Sequence, residues 1–155
     1  MSVSRTNLIL VAGLGSAAMM LGALAFQYIG NMPPCKLCYW QRYPHILAIV
    51  IAVIGLFVPG RLWPLLGAGA ALTTAAIGIY HTGVERKLWE GPSSCSSNTV
   101  SGLSGSDLLA QIMSAPIVRC DEAPWELFTL SMASWNAIVS IALALIWLAA
   151  AKNRV

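Results

Sequence analysis

The sequence predicts an all-α membrane protein, a four-transmembrane-helix bundle with a short surface helix in its second cysteine-side loop. Three observations predict it. The 155 residues are 57% hydrophobic and only 10% charged, with a mean hydropathy of +0.72, where a soluble domain carries roughly 25% charged residues. The apolar residues fall into four runs, each close to the roughly 20 residues needed to cross the hydrocarbon. The breaks between runs carry six of the eight prolines, most of the charges and all four cysteines. Net charge is +3, from nine Lys/Arg against six Asp/Glu. So slight and scattered an excess excludes a nucleic-acid surface.

Taken in order, the spans are expected at about 8–29, 41–58, 62–80 and 127–151, forming one domain over residues 1–155. The first run, Leu8 to Ile29, also has a basic start at Arg5 and a small-x-small site at Ala23-Leu24-Ala25. Its apolar core is longer than the 7–15 residues of a cleaved signal, which favours a retained span. The second run is long enough only if its helix starts before Pro44, which a first turn tolerates because its N–H groups lack partners anyway. Run three carries Gly67, Ala71, Ala75 and Gly78 along one stripe, a spacing that lets helix backbones approach closely. The fourth run starts near Leu127.

Four spans put both termini on one side with the tight Pro59-Gly60-Arg61 turn. The loops at about 30–40 and 81–126 lie on the other. The terminal side holds Arg5, Arg61, Lys152 and Arg154 and no acid, which favours the cytoplasm for it. Cys35, Cys38, Cys95 and Cys120 all lie on the opposite side, and paired thiols persist as disulfides on an oxidising face. Both arguments put the termini inside and the cysteines outside, on an oxidising face that is the periplasm, the ER lumen or a cell surface. Within the long loop, Ser106 to Ala115 reads as a short capped helix with Leu108, Leu109, Ile112 and Met113 on one face. It either lies flat on the bilayer or packs against the bundle. Tyr39, Trp40, Tyr43, Tyr80, Trp89 and Trp125 at one boundary, and Trp63 and Trp147 at the other, are expected as interfacial anchors.

The chemistry sits in "PPCKLCYWQRYP", residues 33–44. A Cys-x-x-Cys ring opens and closes readily, and closing so short a ring in an already anchored loop returns little stability. That is the profile of a working disulfide rather than a brace. Cys95 and Cys120 are far enough apart for bracing alone. Zinc is a rival reading of the thiols, but it wants four ligands and would have to recruit the other cysteines or a histidine. His45 and His81 are both expected at the cysteine-side boundary. Arg42 stands about one turn beyond Cys38, where a guanidinium and a helix N-terminus favour thiolate, or where it could polarise a bound carbonyl. A snorkelling interfacial arginine is the plain alternative.

The segment "CKLCYWQR" before an apolar helix, two further cysteines on the same side, and "RCDEAPWELFTLSMASWN" entering the last helix resemble the disulfide bond formation protein B family. These are bacterial inner-membrane thiol oxidases. The resemblance covers nearly the whole chain, though the long loop is shorter and more serine-rich than in many members, which bears on partner preference. It implies a quinone-dependent protein-disulfide oxidoreductase in which Cys95 takes the mixed disulfide with a periplasmic thioredoxin-fold thiol oxidant. Cys120 would be its partner in a disulfide that exchanges with Cys35–Cys38. Cys38 would react with a bound ubiquinone or menaquinone, supported by Arg42, with His81 beside the quinone. The residues themselves agree that electrons need an outlet, since exchange only moves oxidation around, and a lipid-soluble acceptor is available at a membrane boundary. Two alternatives stay open: a structural or assembly subunit with two bracing disulfides, and a metal-handling membrane protein.

Overall fold

A computed structural model gives the fold, with residues 4–92 and 118–153 described. Its four long helices are α1 (Arg5–Tyr28), α2 (Lys36–Phe57), α3 (Leu62–Glu85) and α4 (Met132–Lys152). All four are long and apolar enough to cross a membrane. A two-stranded antiparallel hairpin, β1 (Glu126–Leu127) and β2 (Leu130–Ser131), leads into α4. Each helix packs on two others, α1 on α2 and α4, and α3 on the same two, so the bundle closes as a four-membered ring. The expected helix at Ser106 to Ala115 and the residue Cys95 lie outside the described residues.

Side chains start and stop these helices. Ser4 caps α1 by accepting the Asn7 backbone N–H, and Ser131 caps α4 by accepting that of Ser134. Each cap satisfies one of the donors that a helix start leaves unpaired. Gly60, at φ 125°, makes the α2–α3 turn, a backbone state that glycine enters without steric cost. Arg5 donates to the Gly60 carbonyl at 3.0 Å, tying the start of α1 to that turn.

Several boundaries differ from expectation. Helix α2 starts at Lys36, with the Cys35 sulfur as its cap, accepting the Cys38 N–H. Pro44 therefore sits in the interior of α2 and not in its first turn, so the Trp40 carbonyl has no i+4 N–H to accept. Helix α3 runs past Tyr80 to Glu85 because the polar His81 and Glu85 turn inward, toward Cys35 and Ser131, instead of marking the start of a wet loop. It ends in a Schellman motif: Leu88 N–H reaches Gly83 O and Lys87 N–H reaches Val84 O, with Lys87 at φ 58°. Trp89 then folds back over Gly83, donates to the Tyr80 carbonyl and stacks on the Tyr80 ring. Helix α4 starts five residues later than expected, because Phe128 and Thr129 take positive φ and form the hairpin turn.

Large apolar side chains such as Leu14, Leu21, Val53, Leu65 and Leu145 face outward. The main buried cluster is instead rich in alanine, with Ile9, Ile51, Leu143 and Trp147. Lipid is as apolar as leucine, so close packing of small residues, not water exclusion, selects the inner face. Trp147 is fully buried; it is not the interfacial anchor expected. Its ring occupies the space over Gly67, where an added Cβ would lie 2.5 Å from ring carbons. The helix stripe of small residues is thus the seat of an indole. At the opposite end, Cys35, Leu37, Val84 and Cys120 form a second, smaller buried cluster.

Candidate redox site

The cysteine end of the bundle holds the reactive groups. Cys35 and Cys38 are free thiols with their sulfurs 2.9 Å apart in a sulfur–sulfur hydrogen bond. That bond, followed by burial, pushes the Cys35 thiol well above its ordinary pKa. Of the two sulfurs, Cys35 is thus the one that holds its proton more tightly. Cys120 is disulfide-bonded and fully buried, and it shares the small cluster with Cys35.

His81 connects these sulfurs to the bundle interior. Its Nε2 lies 3.6 Å from the Cys35 sulfur and 3.7 Å from a Glu85 oxygen, and the ring also hydrogen-bonds the Cys120 backbone. Its Nδ1 is 2.9 Å from Gln41 Nε2. A chain of amides fixes which atoms donate. Gln41 Nε2 donates to the Leu37 carbonyl, so Gln41 Oε1 must be the atom that accepts from Asn136 Nδ2 at 2.8 Å. Asn136 Nδ2 is independently held by the Thr74 hydroxyl and carbonyl. Thr74 itself donates to the Gln41 carbonyl. Asn136 Oδ1 consequently faces His45 Nε2, which donates to it at 2.9 Å.

Two backbone carbonyls, of Leu37 and Thr74, thereby set both histidines. A carbonyl only accepts, so Gln41 Nε2 is a donor, His81 Nδ1 is its acceptor, and the His81 proton sits on Nε2. His45 carries its proton on Nε2 by the same logic, and its Nδ1 is buried with no partner.

A cavity of about 390 Å³ opens beside the thiols. Cys38, Arg42, His45, His81, Glu85 and Asn136 bring polar groups to it, between apolar walls from α1 and the Phe26–Trp125 ring pair, whose centroids are 5.1 Å apart. Arg42 is oriented by Gln27 Oε1 at 2.7 Å and by the Ala23 carbonyl, and it lies over the Tyr39 ring. Glu85 accepts a short hydrogen bond from the Ser131 hydroxyl. Outside the bundle, Asp121 next to Cys120 is held by Arg119 and Lys87, which keep its carboxyl well below the usual carboxylate range.

Of the residues singled out in sequence, Cys35, Cys38, Arg42 and His81 converge on this cavity, and Cys120 adjoins Cys35 through the shared cluster. Cys95 lies outside the described residues. His45 is not at the boundary but more than two turns into α2, since that helix begins at Lys36. Gln41, Asn136 and Glu85 were missed. Their one sequence signal was polarity inside or at the edge of an apolar run, which is costly in a membrane and marks function or buried pairing.

Comparison with known proteins agrees with this site. A match to the family described as disulfide bond formation protein DsbB spans residues 5–150. The chain is 27% identical over 151 residues to disulfide bond formation protein B of a Shewanella species, covering 94% of this chain and 85% of that one. It is 27% identical over 134 residues to the protein of that name in Dechloromonas aromatica, covering 82% and 80% of the two chains. An uncharacterized protein of Rickettsia prowazekii is 27% identical over 121 residues, covering 76% of this chain and 70% of its own. No solved structure matches the chain. With four membrane-spanning helices and a matched segment that contains every cysteine, this chain belongs to the DsbB family of disulfide bond formation proteins.

Proposed function

We propose that this protein is a quinone-dependent protein-thiol oxidase of the bacterial inner membrane, with both termini cytoplasmic and its cysteines periplasmic. One observation carries the reading: a free, hydrogen-bonded Cys35/Cys38 pair opens on a largely apolar cavity while sharing a buried cluster with the disulfide-bonded Cys120. A thioredoxin-fold dithiol outside the membrane is oxidised to its disulfide, and the Cys95–Cys120 pair, through attack at Cys95, takes up the two electrons and two protons. The Cys35–Cys38 disulfide then oxidises that pair by exchange, with Cys120 meeting Cys35. Cys35 and Cys38 are left as the thiols seen here.

A quinone, ubiquinone or menaquinone, would supply the final two-electron, two-proton acceptor. The cavity suits such a ring: its volume falls within the roughly 300–1,000 Å³ range of small-molecule sites, mostly apolar with a few convergent polar groups. Cys35 holds its proton more tightly, and Cys38, hydrogen-bonded to it and lining the cavity, is the sulfur placed to react with the ring. Arg42, held in place by Gln27, is the donor placed to face a carbonyl oxygen there. His81 Nε2–H steadies the Cys35 sulfur, which is a different task from touching the ring.

One observation favours a second reading. The ligand atoms of Cys35, Cys38 and His81 lie within 4.8 Å of one another, as a metal site requires. The tautomer argues against it. A ligating Nε2 needs its proton on Nδ1, donated to a carbonyl or carboxylate, and here Nδ1 faces a Gln41 donor that Leu37 and Asn136 hold in place.

Thiol trapping in anaerobic, quinone-depleted membranes tests the proposal. A relay accumulates free cysteines at all four positions, whereas bracing disulfides stay oxidised. Purified protein given a reduced thioredoxin-fold substrate and a quinone should form one quinol per substrate disulfide.

A further inference from the structure

Glu85 has no task in the relay above, although it ends a membrane-spanning helix, lines the cavity and has a side chain only 6% exposed. An ionisable group in such a place marks a function or a fixed partner. Among the described residues Glu85 is ion-paired with no lysine or arginine. His81 beside it is kept neutral by accepting from Gln41 at Nδ1, and Arg86 commits Nη2 to the Thr129 carbonyl. Two contacts define the carboxyl instead. Its Oε1 is 3.7 Å from His81 Nε2, and the Cys35 sulfur is 3.6 Å from that same nitrogen. One N–H thus stands between two acceptors, a sulfur and a carboxylate. On the other side Glu85 accepts from Ser131, the first of three linked hydroxyls: Ser131 Oγ is 3.1 Å from Ser134 Oγ, which is 3.0 Å from Thr82 Oγ1.

The direction of these bonds follows from the carboxyl. With Ser131 donating to Glu85, Ser134 must donate to Ser131 and Thr82 to Ser134, since each hydroxyl has one hydrogen. With Glu85 protonated and donating, every bond reverses. Hydroxyls that can all reverse together pass a proton from end to end. Ser131 and Ser134 are buried, whereas Thr82 is only half-buried and forms the accessible end.

We propose that Glu85 is a proton store for the cysteine pair, loaded through the Thr82–Ser134–Ser131 hydroxyls when Cys35–Cys38 is reduced and emptied when the pair is reoxidised. The proposal rests on the thiol-oxidase reading given above. In the oxidised site a disulfide sulfur is a poor acceptor, so His81 Nε2–H turns to Glu85 and holds it as the carboxylate. Reduction adds negative charge to the two hydrogen-bonded sulfurs. The N–H then turns to Cys35, because hydrogen bonds to charged acceptors are the stronger ones. The field between Cys38 and Glu85 disfavours two anions side by side. Arg86 on α3 and Glu126 on β1 are the other charged groups whose fields reach Glu85, and neither takes part in the redox change. The step balances. The second cysteine pair supplies two electrons, the Cys35–Cys38 bond breaks, one of the two accompanying protons settles on Cys35 and the other on Glu85, and Cys38 is left as the reactive thiolate. On reoxidation the S–S bond re-forms, the two electrons pass to the quinone, and the protons of Cys35 and Glu85 complete the hydroquinone.

Infrared difference spectra of the full-length protein, reduced minus oxidised, read the store directly. Reduction should raise a carboxylic-acid C=O band, and Glu85→Gln, which keeps an acceptor for the Ser131 hydroxyl, should lose that band whole. Ser134→Ala interrupts the hydroxyl row without removing the α4 cap. It should keep the band and slow its shift after transfer to heavy water. Alkylation and mass spectrometry of the same samples count the thiols at Cys35 and Cys38. A pair that cycles without a carboxyl band, or with a band that survives Glu85→Gln, overturns the proton store and leaves the thiol oxidase intact. An exchange rate unchanged in Ser134→Ala overturns the hydroxyl path. If Cys35 and Cys38 cannot be cycled at all, the thiol-oxidase reading itself falls.

Discussion

Gln41 donates to His81 Nδ1 at 2.9 Å, and this contact decides which His81 nitrogen faces the Cys35 sulfur. The donor is fixed because Leu37 and Asn136 leave the Gln41 amide a single orientation. A residue one turn below the thiols thus sets their chemistry without touching sulfur. Gln41→Glu replaces the donor with an acceptor, moves the His81 proton to Nδ1 and frees Nε2 as a ligand. Reduced Gln41→Glu protein should bind zinc at least about tenfold more tightly than its parent, in line with what outer-shell partners are worth to a metal site. Zinc titration with thiol alkylation as a competitor measures this. Equal affinities would mean that the tautomer is not what keeps metal out.

Arg42 depends on α1 for its orientation. Arg42→Ala should raise the quinone KM. Gln27→Ala, which leaves the charge but removes its 2.7 Å tether, should raise KM by a smaller factor, about threefold to tenfold for one hydrogen bond to a charged group made loose. Cys38→Ser should abolish quinone reduction altogether. Steady-state kinetics at several quinone concentrations separates these outcomes, and an unchanged KM in Arg42→Ala would remove Arg42 from the cavity's binding groups.

The Asp121 clamp beside Cys120 should show in acid. Its native pKa lies below the ordinary value, so its stabilisation is complete above the unfolded pKa of about 3.9 and fades as pH falls through the lower native value. Asp121→Asn should therefore melt below its parent at neutral pH, and the two should converge as the medium is acidified past that range. Exposed ion pairs contribute little, since Lys87 is 63% exposed, so the difference in Tm will be small. A gap that persists unchanged into strong acid would assign it to something other than the Asp121 charge.

Packing at the far end is testable with a matched pair. Gly67→Ala drives a methyl into the Trp147 ring and should cost about 1–3 kcal/mol, the usual penalty of overpacking. Gly69→Ala meets nothing within 4 Å and should be neutral or stabilising by up to about 1 kcal/mol through helix propensity. Unfolding of both proteins in mixed detergent micelles gives the comparison. Similar costs at the two positions would show that Trp147 can move aside.

Four helices, and Cys35, Cys38 and Cys120 at one end of the bundle, were legible in the residues alone, whereas the convergence of His81 with Cys35, Cys38 and Arg42 was legible only through the family resemblance. Apolar run length and residue chemistry are local properties, legible without contacts. The helix limits were less legible, since a sulfur served as the α2 cap and His81 and Glu85 looked like loop. What Trp147, Gln41, Asn136 and His45 do became visible only once the helices were packed together. A polar or aromatic residue in an apolar run reads the same whether it faces lipid, water or a partner. Its role follows from which buried atoms lie across from it on another helix, and for the two histidines those atoms trace back to the carbonyls of Leu37 and Thr74.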